Sequence, residues 1–150
     1  MVLIWLALIA GVQAPAQQWV FSGGDADTGF AIETVSRRTD GAVVTVWEAA
    51  IPNTPMPHHE MGWVDHLVFQ QRYDCNRGTI RRLSMFIYRP DGTLAFSDPE
   101  MTEPAVAPPP GSTGAALVNL VCDWSRIHGF EHFDNVSAIR DAYRATHGRR

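Results

Sequence analysis

The sequence predicts an α+β fold: a roughly six-stranded antiparallel sheet with a C-terminal helix packed on one face and tethered by a disulfide. Three observations carry this. Residues 63–89 (WVDHLVFQQRYDCNRGTIRRLSMFIYR) hold two long β-prone runs around the short turn Asn76-Arg77-Gly78. A helical segment follows every strand and a Pro-rich connector, an order typical of strands first and a helix on one side. The two cysteines are divided between these parts, Cys75 beside the hairpin turn and Cys122 at the end of the helix.

A chain of 150 residues has room for one domain with a single core. Five tryptophans supply large anchors for it. The net charge is -4, and all twelve basic residues are arginine. A mildly acidic chain argues against general nucleic-acid binding, which shows as a basic domain, so no nucleic-acid partner is expected.

Residues 1–16 (MVLIWLALIAGVQAPA) read as a signal peptide. The apolar run 2–12 is shorter than the roughly 20 residues a membrane span requires, so no stable span is expected. Ala14-Pro15-Ala16 fits the small-x-small cleavage rule and places the mature start at Gln17. No Lys or Arg precedes the run, and the alternative is an uncleaved interfacial anchor. The expected location is periplasmic or secreted. In an oxidising compartment an even cysteine count points to a bridge, here Cys75–Cys122, worth about 4 kcal/mol by loop closure. The plainer alternative is two buried free thiols.

The elements follow in order. Residues 18–22 (QWVFS) predict a first strand, and Gly23-Gly24-Asp25-Ala26-Asp27 a turn. Residues 29–33 (GFAIE) predict a second strand, and Asp40-Gly41 marks the next turn. Residues 42–51 (AVVTVWEAAI) alternate as a third strand. Residues 52–62 read as a loop, because three prolines remove ladder donors. In the hairpin a three-residue turn with Gly78 left-handed pairs Cys75 with Thr79. That register places Tyr73 by Arg81, Gln71 by Leu83, Phe69 by Met85 and Leu67 by Ile87, on an apolar face. His66, Gln70, Arg72, Asp74, Arg82 and Ser84 fall on the other face, among Val68, Phe86 and Tyr88. A one-residue slip would exchange the two faces.

Residues 93–97 predict a last short strand and residues 98–111 an extended Pro-rich connector. Ser112 or Thr113 can cap the helix at 114–123, whose apolar stripe reads Ala115, Val118, Val121 and Cys122, with Leu117 at its edge. The tail, 124–150, holds an amphipathic helix over 135–147 with Val136, Ile139 and Tyr143 on one side. It is too short to be stable alone, so it packs on the domain or forms with a partner. The expected division is 1–16 signal peptide, 17–123 domain and 124–150 tail.

Several of these segments, QWVF, VVTVWEA, QRYDCNRGTIRRLSMFIY and PPPGSTGAALVNLVC, together with the cysteine spacing, resemble the surface-adhesin protein E family of small exported proteobacterial proteins. The resemblance spans residues 18–122. It implies a six-stranded antiparallel sheet with a disulfide-tethered helix. It also implies an envelope protein that binds matrix or serum proteins and can form a homodimer. This sequence differs in having no lipidation cysteine after the apolar run, no lysine-rich stretch, and a tail beyond Cys122.

Candidate chemistry is sparse. His128-Gly129-Phe130-Glu131-His132 fits H-x-x-E-H, in which two histidines on one helix turn hold zinc and the glutamate activates water. Gly129 and the flanking aromatics disfavour that helix, and the plainer reading is a solvated tail segment. His58-His59-Glu60, with Asp65-His66 beyond, is a second possible zinc or copper cluster. Adjacent histidines on extended chain point apart, which works against it. Haem ligation lacks a C-x-x-C-H motif, and no nucleophile elbow or phosphate loop is present. No cofactor and no catalytic residue are expected.

Arg72, Arg77 and Arg82, with Arg81 and Arg89 nearby, gather on one hairpin. They suit an anionic glycan, lipopolysaccharide phosphates or an acidic protein surface; the plainer reading is a charged face that keeps the sheet soluble. The expected function is a non-enzymatic exported cell-envelope protein, a surface-adhesin-like binding domain for an envelope or extracellular protein or an anionic surface polymer. The alternatives are a periplasmic metal-binding protein or metal-dependent hydrolase using His128, Glu131 and His132, and a purely structural envelope component.

Overall fold

The computed structural model describes residues 16–148; the expected signal segment lies outside the described residues except for Ala16. The strands are β1 (Trp19–Gly24), β2 (Thr28–Asp40), β3 (Val43–Pro52), β4 (Met56–His58), β5 (Gly62–Val64), β6 (His66–Asp74), β7 (Thr79–Tyr88), β8 (Leu94–Asp98) and β9 (His132–Phe133). The helices are α1 (Thr113–Cys122) and α2 (Val136–His147), and Trp124–Gly129 forms a 3-10 helix. Seven strands make one antiparallel sheet in the order β8-β7-β6-β3-β2-β1-β9. The sheet and its tethered helix are as the sequence predicts; β9, from beyond Cys122, adds a strand by pairing with β1.

Cys75 and Cys122 are bonded, with Cα atoms 5.7 Å apart. The bond holds α1 over one face of the sheet. There Val20, Ile32, Val44, Val46 and Tyr73 meet Leu117, Leu120, Val121 and Ile127. Ser112 caps α1 by accepting from the Ala115 amide at 3.2 Å. The buried stripe of α1 is Leu117, Leu120 and Val121. It is rotated from the expected Ala115-Val118 line, because the larger leucines fill the space above Tyr73 and Val46.

Of the segment after Cys122, the 3-10 helix stays on the α1 side through Ile127, and α2 packs against the opposite face. Ile139 and Tyr143 of α2 are buried among Trp19, Ala31, Ala49 and Ile51. The helix can lie close because its seat is made of small residues, Ala31 paired with Ala49 and Gly29 beside them. A Cβ on Gly29 would stand 2.9 Å from the Tyr143 ring, and the Tyr143 hydroxyl donates to the Asp25 carbonyl at 2.8 Å.

Two local expectations are corrected. The stretch expected to be a loop at 52–62 contains the β4–β5 ribbon, in which Pro57 pairs with Trp63. A two-stranded ribbon is all edge, so a missing proline donor is tolerated. The hairpin turn is one residue longer than expected: Asp74, not Cys75, pairs with Thr79. The Asp74 carboxylate draws the chain round by accepting from the Asn76 and Arg77 amides at 3.1 and 3.0 Å, and Gly78 has φ 63°. Tyr73 therefore pairs with Ile80, and Gln71 with Arg82. A β-bulge opposite Gln70 and Gln71 absorbs the extra residue. Beyond it Phe69–Met85 and Leu67–Ile87 pair as expected.

The Pro-rich connector runs beside β7, where Ile80 and Val106 exchange backbone hydrogen bonds of 2.8 and 2.9 Å and the Met101 amide donates to the Leu83 carbonyl at 2.8 Å. It thereby covers the stretch of the β7 edge that the short β8 leaves bare.

Candidate functional site

The face that carries α2 is only partly covered. Past the small-residue seat its side chains become large, and the helix does not extend over them. Trp47, Val68, Phe86 and Tyr88 form the floor of a groove of about 520 Å³, walled by Trp19, Glu33, Val35 and Arg38. Trp47 and Phe86 lie side by side, ring centroids 6.0 Å apart, and Val35 is 41% exposed. A row of partly exposed aromatic and apolar side chains on a rigid sheet suits the anchor of a partner better than it suits solvent.

The rim of this groove is fixed by Glu33. Its carboxylate accepts from the amides of Gln18 at 3.0 Å, Val35 at 3.0 Å and Ser36 at 2.7 Å. Burial alone would raise its pKa, but these backbone donors outweigh that and hold it below the usual glutamate range. The ionised carboxylate thus clamps the bulged part of β2 to the start of β1.

The α1 side carries a second recess, of about 380 Å³, between the sheet, the connector and α1. At its base Glu48 is fully buried. Tyr73 donates its hydroxyl to one Glu48 oxygen, and the Gln71 amide donates to the other at 3.0 Å. Burial pushes the Glu48 carboxyl up to about 7, against the pull of Tyr73, Gln71 and the Arg82 charge.

A raised folded-state pKa means the folded protein holds a proton that the unfolded chain has lost. Stability from this group is therefore complete below pH 4.5 and falls as pH rises through about 7. The shift corresponds to about 3 kcal/mol at alkaline pH. Glu48→Gln is expected to flatten the decline in melting temperature between pH 5 and 8; an unchanged decline would mean that another group titrates.

The arginines expected to form a site are separated. Arg72 is exposed on the groove face. Arg77 stands at the hairpin tip, 3.7 Å from Asp74. Arg82 lies on the α1 face, its guanidinium 5.1 Å from the Phe69 ring centroid. The longer turn brings Arg81, not Arg82, opposite Arg72. Arg38 on β2 also reaches this face, opposite Thr45.

The histidines are likewise dispersed. His58 and His59 stack at 4.8 Å, and His58 Nδ1 accepts from the Glu60 amide at 3.2 Å. His128 ends in the 3-10 helix and His132 in β9, so they do not share a helix face. Among the described residues no group of three or more His, Cys, Asp or Glu side chains is placed to hold a metal ion.

Asp65 and His66 serve a different purpose. Asp65 is 2% exposed and accepts from Arg140 at 2.9 Å, Arg144 at 2.6 Å and His66 at 2.8 Å. Arg144 also donates to the carbonyls of Pro52 at 3.0 Å and Asp65 at 2.8 Å. This network pins α2 beside the groove. Its signal in the sequence is the Arg140/Arg144 spacing, which puts both guanidiniums on one side of the helix.

Among the described residues no helix is long and apolar enough to cross a membrane. No curated protein and no solved structure matches the chain. The model of the family described as surface-adhesin protein E matches residues 19–123, which span β1 to the end of α1. On that match, over more than half of its length, the chain belongs to the surface-adhesin protein E family.

Proposed function

We propose that this is an exported, non-enzymatic binding domain of the cell envelope, periplasmic or secreted, which engages a protein or an anionic surface polymer through the open half of its sheet. Family membership supports a surface-adhesin-like role and an exported or surface place. The observation that carries the proposal is the aromatic groove of Trp47, Val68, Phe86 and Tyr88. It is flanked on one side by a covered sheet face and left open on the other. The fold spends a helix, two arginines and a buried aspartate on closing the adjacent half, which makes the open half a distinct surface.

Binding by the purified chain to immobilised matrix and serum proteins and acidic polysaccharides tests this. Trp47→Ala removes the largest anchor of the floor and is expected to weaken the interaction at least about tenfold, the effect of a central aromatic at an interface. Val35→Asp, at the exposed rim, is expected to weaken it without lowering the melting temperature. Wild-type affinity in both folded variants would place the interaction elsewhere.

A further inference from the structure

The strand registers bring three arginines into one row across the open face. Arg38 on β2 is opposite Thr45 on β3, Thr45 is opposite Arg72 on β6, and Arg72 is opposite Arg81 on β7. The next row on the same face is Glu33, Trp47, Gln70 and Ser84. The row after that is Ala31, Ala49, Val68 and Phe86.

No carboxylate among the described residues makes an ion pair with Arg38, Arg72 or Arg81. Acidic residues flank the row on the same face: Glu33 in the next row, its carboxylate taken up by the amides of Gln18, Val35 and Ser36, and Asp40 and Asp74 in the row before it, where Asp74 is turned into its own hairpin and accepts from the amides of Asn76 and Arg77. Arg72 and Arg81 face each other directly, a like-charge cross-strand pair that destabilises a sheet. The Nε of Arg81 is buried without a partner, as is the hydroxyl of Ser84, a residue only 4% exposed. In a chain of net charge -4, three arginines in one row are a local concentration of positive charge.

We infer, resting on the open-face reading above, that these rows form a binding site for an anionic glycan. Neighbouring strands lie about 4.8 Å apart, so Arg72 and Arg81 are rooted one strand spacing apart and Arg38 two spacings from Arg72, an arrangement suited to carboxylate or sulfate groups along a linear chain. Arginine suits these groups because its planar fork donates two parallel hydrogen bonds. The adjacent row supplies what a sugar needs besides charge. The apolar C–H face of a pyranose ring can lie flat on Trp47 or Phe86 and leave water, while the Gln70 amide offers hydrogen-bonding groups to its hydroxyls. An acidic peptide would use the arginines but has no comparable use for the aromatic and amide groups beside them.

The test is retention of the purified chain on immobilised heparin, a sulfated uronic-acid polymer, with poly-glutamate and neutral dextran as comparison polymers. Three neutralised charges are expected to give a slope of about −2 for log affinity against log salt, at about 0.7 per charge. The double variant Arg72→Gln/Arg81→Gln is expected to lose at least about tenfold in heparin affinity and to flatten the slope. Its melting temperature is expected to stay level or rise, because the like-charge pair is gone; a purely structural role for these arginines would lower it. Phe86→Ser is expected to weaken heparin binding while leaving the salt slope unchanged.

Absent heparin binding, binding untouched by the arginine variant, or equal retention on poly-glutamate would each overturn the inference. If a protein partner depends on Trp47 but not on Arg72 and Arg81, the open-face reading stands and the glycan site falls.

Discussion

Replacing Asp65 with Asn is expected to destabilise the domain by about 3 kcal/mol, the low end for breaking a buried ion pair from one side. The reason lies in the count of charges. One carboxylate at 2% exposure answers two helix guanidiniums and a histidine. Removing its charge leaves Arg140 and Arg144 half-buried with carbonyl acceptors and Asp141, and no countercharge beneath the helix. The effect should be local before it is global: α2 loses its anchor to the β5–β6 corner, and the helix depends on that packing because it is too short to persist alone.

The same group sets an acid limit. The Asp65 carboxyl is held down to about 2; burial raises it, and the donors Arg144, His66 and Arg140 together outweigh that. A depressed folded-state pKa contributes stability that is present above the ordinary value of 3.8 and is lost as pH falls toward 2. Denaturant titrations of wild type and Asp65→Asn should therefore differ by about 3 kcal/mol at pH 6 and converge near pH 2. Protease cutting should begin in residues 124–148 in the variant. Equal stability at pH 6 would show that the helix is held by Ile139 and Tyr143 alone.

Loss of the Cys75–Cys122 bond carries the second large effect. The bond spans 47 residues, and opening a loop of that length costs about 4 kcal/mol in chain entropy. The double variant Cys75→Ala/Cys122→Ala, or the reduced protein, should melt roughly 10–20 °C lower. The tether has a further consequence, because the connector from β8 to α1 is Pro-rich and touches the sheet mainly through Val106 and Met101. Without the bond, α1 is held by the burial of Leu117, Leu120 and Val121, with Val118 and Ile127 beside them. Mass spectrometry of non-reduced digests should show the two cysteine peptides joined. A melting temperature unchanged on reduction would mean that the packing of α1 alone fixes it.

Much of this architecture was legible in the sequence because its signals are local. Alternation set the strands, Gly78 marked the hairpin turn, and the cysteine pair tied the helix to the sheet. Ile139 and Tyr143 were readable as the buried side of α2 from helical spacing alone. What alternation could not supply was the register. A turn longer by one residue, compensated by a bulge opposite Gln70 and Gln71, is invisible to a period of two. It restores the expected pairing at Phe69 while exchanging Arg81 for Arg82 near the turn. That single exchange separates Arg82 from Arg72 and gives Arg72 a different neighbour.

Glu48 was hidden for a related reason. In VVTVWEAAI it reads as one polar residue in a strand, and only the assembled sheet shows it buried between Tyr73 and Gln71. The seat of α2 carries its signal in the run of small residues Gly29, Ala31 and Ala49 on one face. Asp65 looked like part of a histidine cluster because its partners lie at Arg140 and Arg144, far along the chain.

One half of one sheet face is closed by α2, and the other half is left open. The tryptophans among the described residues, Trp19, Trp47, Trp63 and Trp124, report on this because they occupy different places. Trp47 lies in the groove floor with Trp19 at its wall, Trp63 is in the β4–β5 ribbon, and Trp124 packs under Arg37 on the α1 side. Their indole N–H signals, followed by NMR during titration with a sulfated oligosaccharide, separate these surfaces directly. The expected result is a large shift at Trp47, a smaller one at Trp19, and none at Trp63 or Trp124. A shift at Trp63 or Trp124 with Trp47 unmoved would contradict it.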